Sequence, residues 1–163
     1  MARYVVLTLL SFLVLFLQST IFSSYGIRGV IPDLVLVLVV NHAMFASGRR
    51  SVAYGVFCGL LEDLFSARII GINAIAKGIT AFIVSRLQFR LFQDNMLVGL
   101  PVMVVGTAVN LLICFLLLYF ISGNTYVNIN ILEYGFYQLV YNCIFAIPVY
   151  YLFYRANRKR ARF

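Results

Sequence analysis

The chain has 163 residues, of which 63% are hydrophobic and 11% charged, against about 45–50% apolar and about 25% charged residues in soluble domains. A water-facing surface is excluded. Six helical spans of about 20 residues each would consume roughly 120 positions, leaving no room for a soluble catalytic head or a filament-forming domain. The 13 basic and 5 acidic residues give a net charge of +8; the basic residues fall in loops and tails, where they set orientation against a membrane, so no nucleic-acid partner is expected.

The first apolar run covers 4–22 and follows Arg3. It exceeds a typical signal-peptide core and precedes further apolar runs, so it is read as a retained helix. The second, 30–45, opens with Pro32, which suits a first helical turn because it has no N–H to leave unpaired. The third, 52–65, is short and lies between Arg49-Arg50 and Glu62-Asp63. The fourth covers 69–87 and encloses Lys77, the fifth 96–121 with Pro101, and the sixth 133–154 with Pro148. The fold class expected is an all-α polytopic membrane protein, a single embedded domain made of a six-transmembrane-helix bundle.

Charge placement tests this map independently of hydropathy. With a cytoplasmic N-terminus and six spans, one side receives Arg3, Arg49, Arg50, Arg86, Arg90, Arg155, Arg158, Lys159, Arg160 and Arg162, and the other only Arg28 and Arg68. That asymmetry fits both termini in the cytoplasm, and deleting the third span would destroy it. The polar stretch from Ser122 to Ile131 becomes an outer loop, too small for a domain. The basic tail of Arg155, Arg158, Lys159, Arg160 and Arg162 is placed to meet anionic lipid headgroups, or else a cytoplasmic partner.

Ionisable residues inside a bilayer are costly, so their positions are informative. Asp33 opens the second helix, Glu62 and Asp63 close the third, and Lys77 lies about eight residues, or roughly 12 Å, into the fourth. The flexible lysine stem can reach outward to Asp63, Glu62 or Asp33, with Asn73 one turn above on the same face. This cluster of Asp33, Glu62, Asp63, Asn73 and Lys77 is either a network that fixes helix packing, an outward-facing pocket for a small ligand, or part of a proton or ion relay. A relay requires polar groups that continue across the membrane, and Gln18, Asn41, His42, Asn110 and Asn142 are scattered candidates. His42, at the cytoplasmic end of the second run, reads as an interfacial side chain.

Gly55 and Gly59 form a GxxxG pair on the third helix, and Ala74 and Gly78 a small-xxx-small pair on the fourth. Small residues let backbones approach in lipid, so these two helices are expected to pack together. Tyr134, Tyr137, Tyr141, Tyr150, Tyr151 and Tyr154 fall in two groups near the ends of the sixth helix, like aromatic belts. Cys58, Cys114 and Cys143 are odd in number and lie in apolar runs, which suits buried apolar residues better than disulfides or metal ligands. Neither HExxH, GxSxG nor a phosphate-binding loop occurs, so no enzyme and no cofactor is expected. Ser51 and Ser66, at helix ends, read as capping residues.

Pro32-Asp33-Leu34, then Gly59-Leu60-Leu61-Glu62-Asp63-Leu64-Phe65-Ser66, then Ile70-Gly71-Ile72-Asn73-Ala74 resembles the rod shape-determining protein MreD family. Gly59, Asp63, Gly71, Asn73 and Ala74 occupy the family's motif positions; Glu62 departs from the small or apolar residue expected there. The resemblance implies a fold similar to the S-components of energy-coupling-factor transporters. It also implies an inner-membrane subunit of the bacterial elongation machinery, working with MreC, the MreB filament, RodA and penicillin-binding protein 2. Gly71 then joins Gly55, Gly59, Ala74 and Gly78 as a helix-packing position, and a substrate-binding or transport role stays open as the alternative.

Overall fold

The computed structural model of the chain describes residues 2–22, 30–66, 69–91, 99–122 and 131–158. Among these are six α-helices: α1 (Ala2–Leu17), α2 (Leu34–Phe45), α3 (Gly48–Ser66), α4 (Ile72–Leu91), α5 (Gly99–Ser122) and α6 (Ile131–Arg158). A π-helical turn, Gln18–Phe22, continues α1. Two stretches, Gly99–Ile121 and Glu133–Arg155, are long and apolar enough to cross a membrane, and Val5–Thr20 and Leu34–Phe45 are shorter apolar helices.

The centre of the bundle is α2. Its residues from Leu34 to Met44 are all buried, and it touches each of the other five helices. The cause lies in its composition: a Leu/Val run with no polar face has no side to present outward, which is the signature of a fully enclosed helix. Leu15, Ala81, Val84, Met103, Ala146 and Tyr150 pack around it. Gly106 of α5 lets that helix approach Val40, whose Cγ2 lies 2.8 Å from where a β-carbon would stand.

Several details differ from the sequence reading. Pro32 precedes the cap of α2 and is outside the helix; Asp33 is the cap, its side chain accepting from the Leu36 N–H. The third helix is longer than its apolar run, because Gly48 to Ser51 continue the helix through the two exposed arginines. Ser51 does not cap: its hydroxyl donates back to the carbonyls of Ser47 and Ala46, at 3.1 and 3.3 Å. Tyr150 is not part of an aromatic belt but is buried, its ring 5.6 Å from that of Phe45. His42 is buried as well, 4.4 Å centroid to centroid from Tyr54, and is not interfacial. Of the expected outer loop, Ser122 ends α5 and Ile131 begins α6, while 123–130 lie outside the described residues, as do Arg28, Arg68 and Lys159, Arg160 and Arg162 of the tail; Arg155 is exposed near the end of α6.

Candidate functional site

The polar cluster is assembled from the ends of α1, α2, α3 and α4. Because α2 begins inside the bundle, the backbone N–H groups of its first turn cannot reach water and must find partners in the protein. They do. The Leu36 N–H goes to Asp33 Oδ1 at 2.8 Å. Those of Leu34 and Val35 go to Gln18 Oε1 at 3.0 and 3.3 Å, and Val37 makes the first intrahelical bond to the Asp33 carbonyl. The N–H of Asp33 itself donates to Asn142 Oδ1 on α6 at 3.0 Å. Gln18, where the π-helical turn begins, also donates through Nε2 to Glu62 Oε1 at 3.2 Å, so one side chain ties α1 to α2 and α3.

Lys77 is fully buried and stands between two carboxylates, its Nζ 2.9 Å from Asp33 Oδ2 and 2.5 Å from Glu62 Oε2. The ammonium offsets one of the two negative charges, and the carboxylates take further hydrogen bonds from the Leu36 N–H and Gln18 Nε2, which is what makes burial of the group tolerable. Asp63 does not join them, although the sequence allowed it as a lysine partner. Its carboxylate sits at the start of α4. There Oδ2 accepts from the Gly71 and Ala74 N–H groups at 2.8 and 3.3 Å, and Oδ1 from the Asn73 N–H and Nδ2 at 3.2 and 2.9 Å. A negative charge placed on the unpaired N–H groups of a helix start is favoured by both hydrogen bonding and the helix dipole, so α3 caps α4 in trans.

Gly71 enables this geometry through its backbone. Its φ of 108° is one that side-chain-bearing residues rarely adopt, while the space around it is open. It is therefore a turn residue and not the helix-packing position expected. The other small residues do pack. A β-carbon on Gly59 would collide with the Asn73 carbonyl and Ala74 Cα, and one on Gly55 would lie 2.6 Å from the Lys77 carbonyl. Gly78 faces Val56, and Ala74 is buried.

The structure thus joins Asp33, Glu62 and Lys77 in one ion network and Asp63 with Asn73 in a second beside it. Asn73 also accepts a weak Cys114 Sγ contact at 3.9 Å. Sequence reasoning treated Gln18 and Asn142 only as scattered polar residues and did not consider Thr107, to which Asn142 Nδ2 donates at 3.3 Å. Their signal was a hydrogen-bonding side chain inside an apolar run, where the cost of burial demands a partner. Among the described residues, no group of three or more His, Cys, Asp or Glu residues could hold a metal ion.

The model of the family described as "rod shape-determining protein MreD" matches residues 2–160. The chain belongs to the MreD family. That match spans every helix described above. No curated protein and no solved structure matches the chain. MreD membership carries a role in rod shape determination, and the capped α3–α4 corner contains the Gly59, Asp63, Gly71 and Asn73 positions through which the resemblance was read.

Proposed function

We propose that this MreD protein is a non-catalytic scaffold of the bacterial cell-elongation complex. It lies in the cytoplasmic (inner) membrane as a six-span bundle with both termini in the cytoplasm. There it binds the transmembrane helix of MreC and helps position or regulate RodA and penicillin-binding protein 2, with MreB on the cytoplasmic side. The observation that carries the reading is the family match across residues 2–160. The chemistry of the interior agrees with it: the charged groups are spent on joining helices to one another, and the outward faces are apolar, as in the Val5, Val6, Leu9, Phe12, Leu13 and Phe16 stripe of α1. Apolar helix faces suit lipid and partner spans, which associate by close packing.

The test is co-purification in detergent of the full chain with MreC, RodA, penicillin-binding protein 2 and MreB, each expressed separately with it. Retention of MreC is expected. Loss of MreC in every detergent that preserves the bundle would overturn the MreC-binding scaffold.

One observation favours a second reading, that of an S-component-like subunit binding a small molecule or lipid. The side-chain oxygens of Asn110 and Gln138 are buried without a hydrogen-bond partner among the described residues, and an unpaired buried acceptor fits a ligand that donates. Native mass spectrometry of the purified chain distinguishes the two: a specific bound small molecule supports the second reading, and a ligand-free chain that still holds MreC supports the first.

A further inference from the structure

The polar groups that the sequence scatters over α1, α2 and α3 are aligned in space. On α3, Tyr54, Cys58 and Glu62 are spaced four residues apart and so form one stripe, about 12 Å long. Ser11 of α1 stands against that stripe, fully buried; its hydroxyl donates to the Leu7 carbonyl at 2.8 Å, and its Oγ lies 2.8 Å from the Tyr54 hydroxyl and 3.4 Å from Cys58 Sγ. The His42 ring of α2 lies against the Tyr54 ring, tilted by 43°, at the end nearer the α2–α3 turn. At the other end Glu62 meets Gln18 from α1 and Lys77 from α4. Lys77 also holds Asp33 from α2, and Asp63, beside Glu62 on α3, is occupied by its own donors from the start of α4.

Hydroxyl and thiol groups donate and accept at once, so a row of them can pass a proton by exchange. Proton relays in membrane proteins use intramembrane Asp, Glu and His groups, and this row lies between His42 and Glu62. We propose that Tyr54, Ser11 and Cys58 form a proton path that connects the His42 end of the bundle with the Glu62 carboxylate.

A proton arriving at Tyr54 displaces the phenolic proton onto Ser11 Oγ, and Ser11 turns its own proton from the Leu7 carbonyl to Cys58. Cys58 releases one to Glu62 across the remaining helical turn, about 6 Å along the axis, a step that requires one bridging water. Each relay group ends with as many protons as it began with, one proton is transferred in total, and no electrons move. Glu62 is a fitting terminus because two carboxylates face one ammonium at the triad, leaving one negative charge for a proton to neutralise.

The test is a rapid acid jump on the full chain reconstituted in lipid nanodiscs, followed by infrared absorption of the carboxylic C=O stretch. A band that rises after the jump and is missing in Glu62→Gln is expected. Ser11→Ala and Tyr54→Phe are expected to slow its rise at least tenfold while leaving its final amplitude unchanged, and Cys58→Ser, which keeps a transferable proton, to retain the wild-type rate. A purely structural role for these side chains would shift the melting temperature and not the rate. The path is overturned if no band rises, if the band persists in Glu62→Gln, or if Ser11→Ala and Tyr54→Phe react as fast as wild type.

Discussion

Lys77 brings one positive charge to two buried carboxylates, and removing it strands both. Lys77→Met is therefore expected to destabilise the bundle by about 3–5 kcal/mol, the usual cost of breaking a buried pair from one side. Combining it with Asp33→Asn and Glu62→Gln should restore most of the loss, because no charge is then left unpaired and Asn still caps a helix. Thermal unfolding of both variants in one detergent checks this; equal melting temperatures would remove ion pairing from the account of stability. Asp63 makes a different prediction, because its partners are chiefly backbone N–H groups. Asp63→Ala leaves those donors of α4 unpaired, each costing about 1–3 kcal/mol, and should melt well below Asp63→Asn, which keeps one acceptor oxygen. At this scale the sequence showed that Lys77 needs an acid nearby, since depth and stem length are legible. It did not show which acid, because that choice depends on the positive φ of Gly71, which delivers the α4 start to Asp63.

Between elements, the most extensive packing among the described residues is that of α3 against α4, and three glycines make it testable by contrast. Gly59→Ala would drive a methyl group into the backbone at Asn73 and Ala74, which cannot yield as a side chain tip can. A loss of about 1–3 kcal/mol or more is expected, as for other overpacked sites. Gly71→Ala meets no atom but must hold a left-handed backbone, for about 1–3 kcal/mol. Gly48→Ala, where the nearest atom is Ser85 Oγ at 3.5 Å, should be nearly neutral. Melting curves of the three variants order them, and an unaffected Gly59→Ala would contradict the tight α3–α4 contact. The α3–α4 pairing was legible because small residues at i and i+4 act through size alone. The π-helical turn at Gln18 was not, since nothing in hydropathy marks where a backbone changes its hydrogen-bond register, and Gln18's two-helix role follows from that turn.

For the whole molecule, the six helices were legible because the sequence falls into six apolar runs separated by charged and polar residues, each long enough for a helix. The enclosure of α2 could also be read from the absence of any polar face in its first seven residues. Orientation rests on charge asymmetry alone. Arg49, Arg50 and Arg86 are all exposed, and they lie at the ends of α3 and α4 assigned to the same side as the tail; moving them across a bilayer would oppose the positive-inside tendency. Single cysteines placed within 122–130 and within 155–163, in a chain with Cys58, Cys114 and Cys143 replaced, should react with a membrane-impermeant thiol reagent from opposite faces. Sites in the first segment are expected to label in intact cells lacking an outer barrier, and sites in the second only after lysis. Labelling of both segments from one face would mean that α6, the one helix between them, does not cross; labelling from opposite faces but with the two faces exchanged would mean that a span before residue 122 is given up, and α3 has the shortest apolar run.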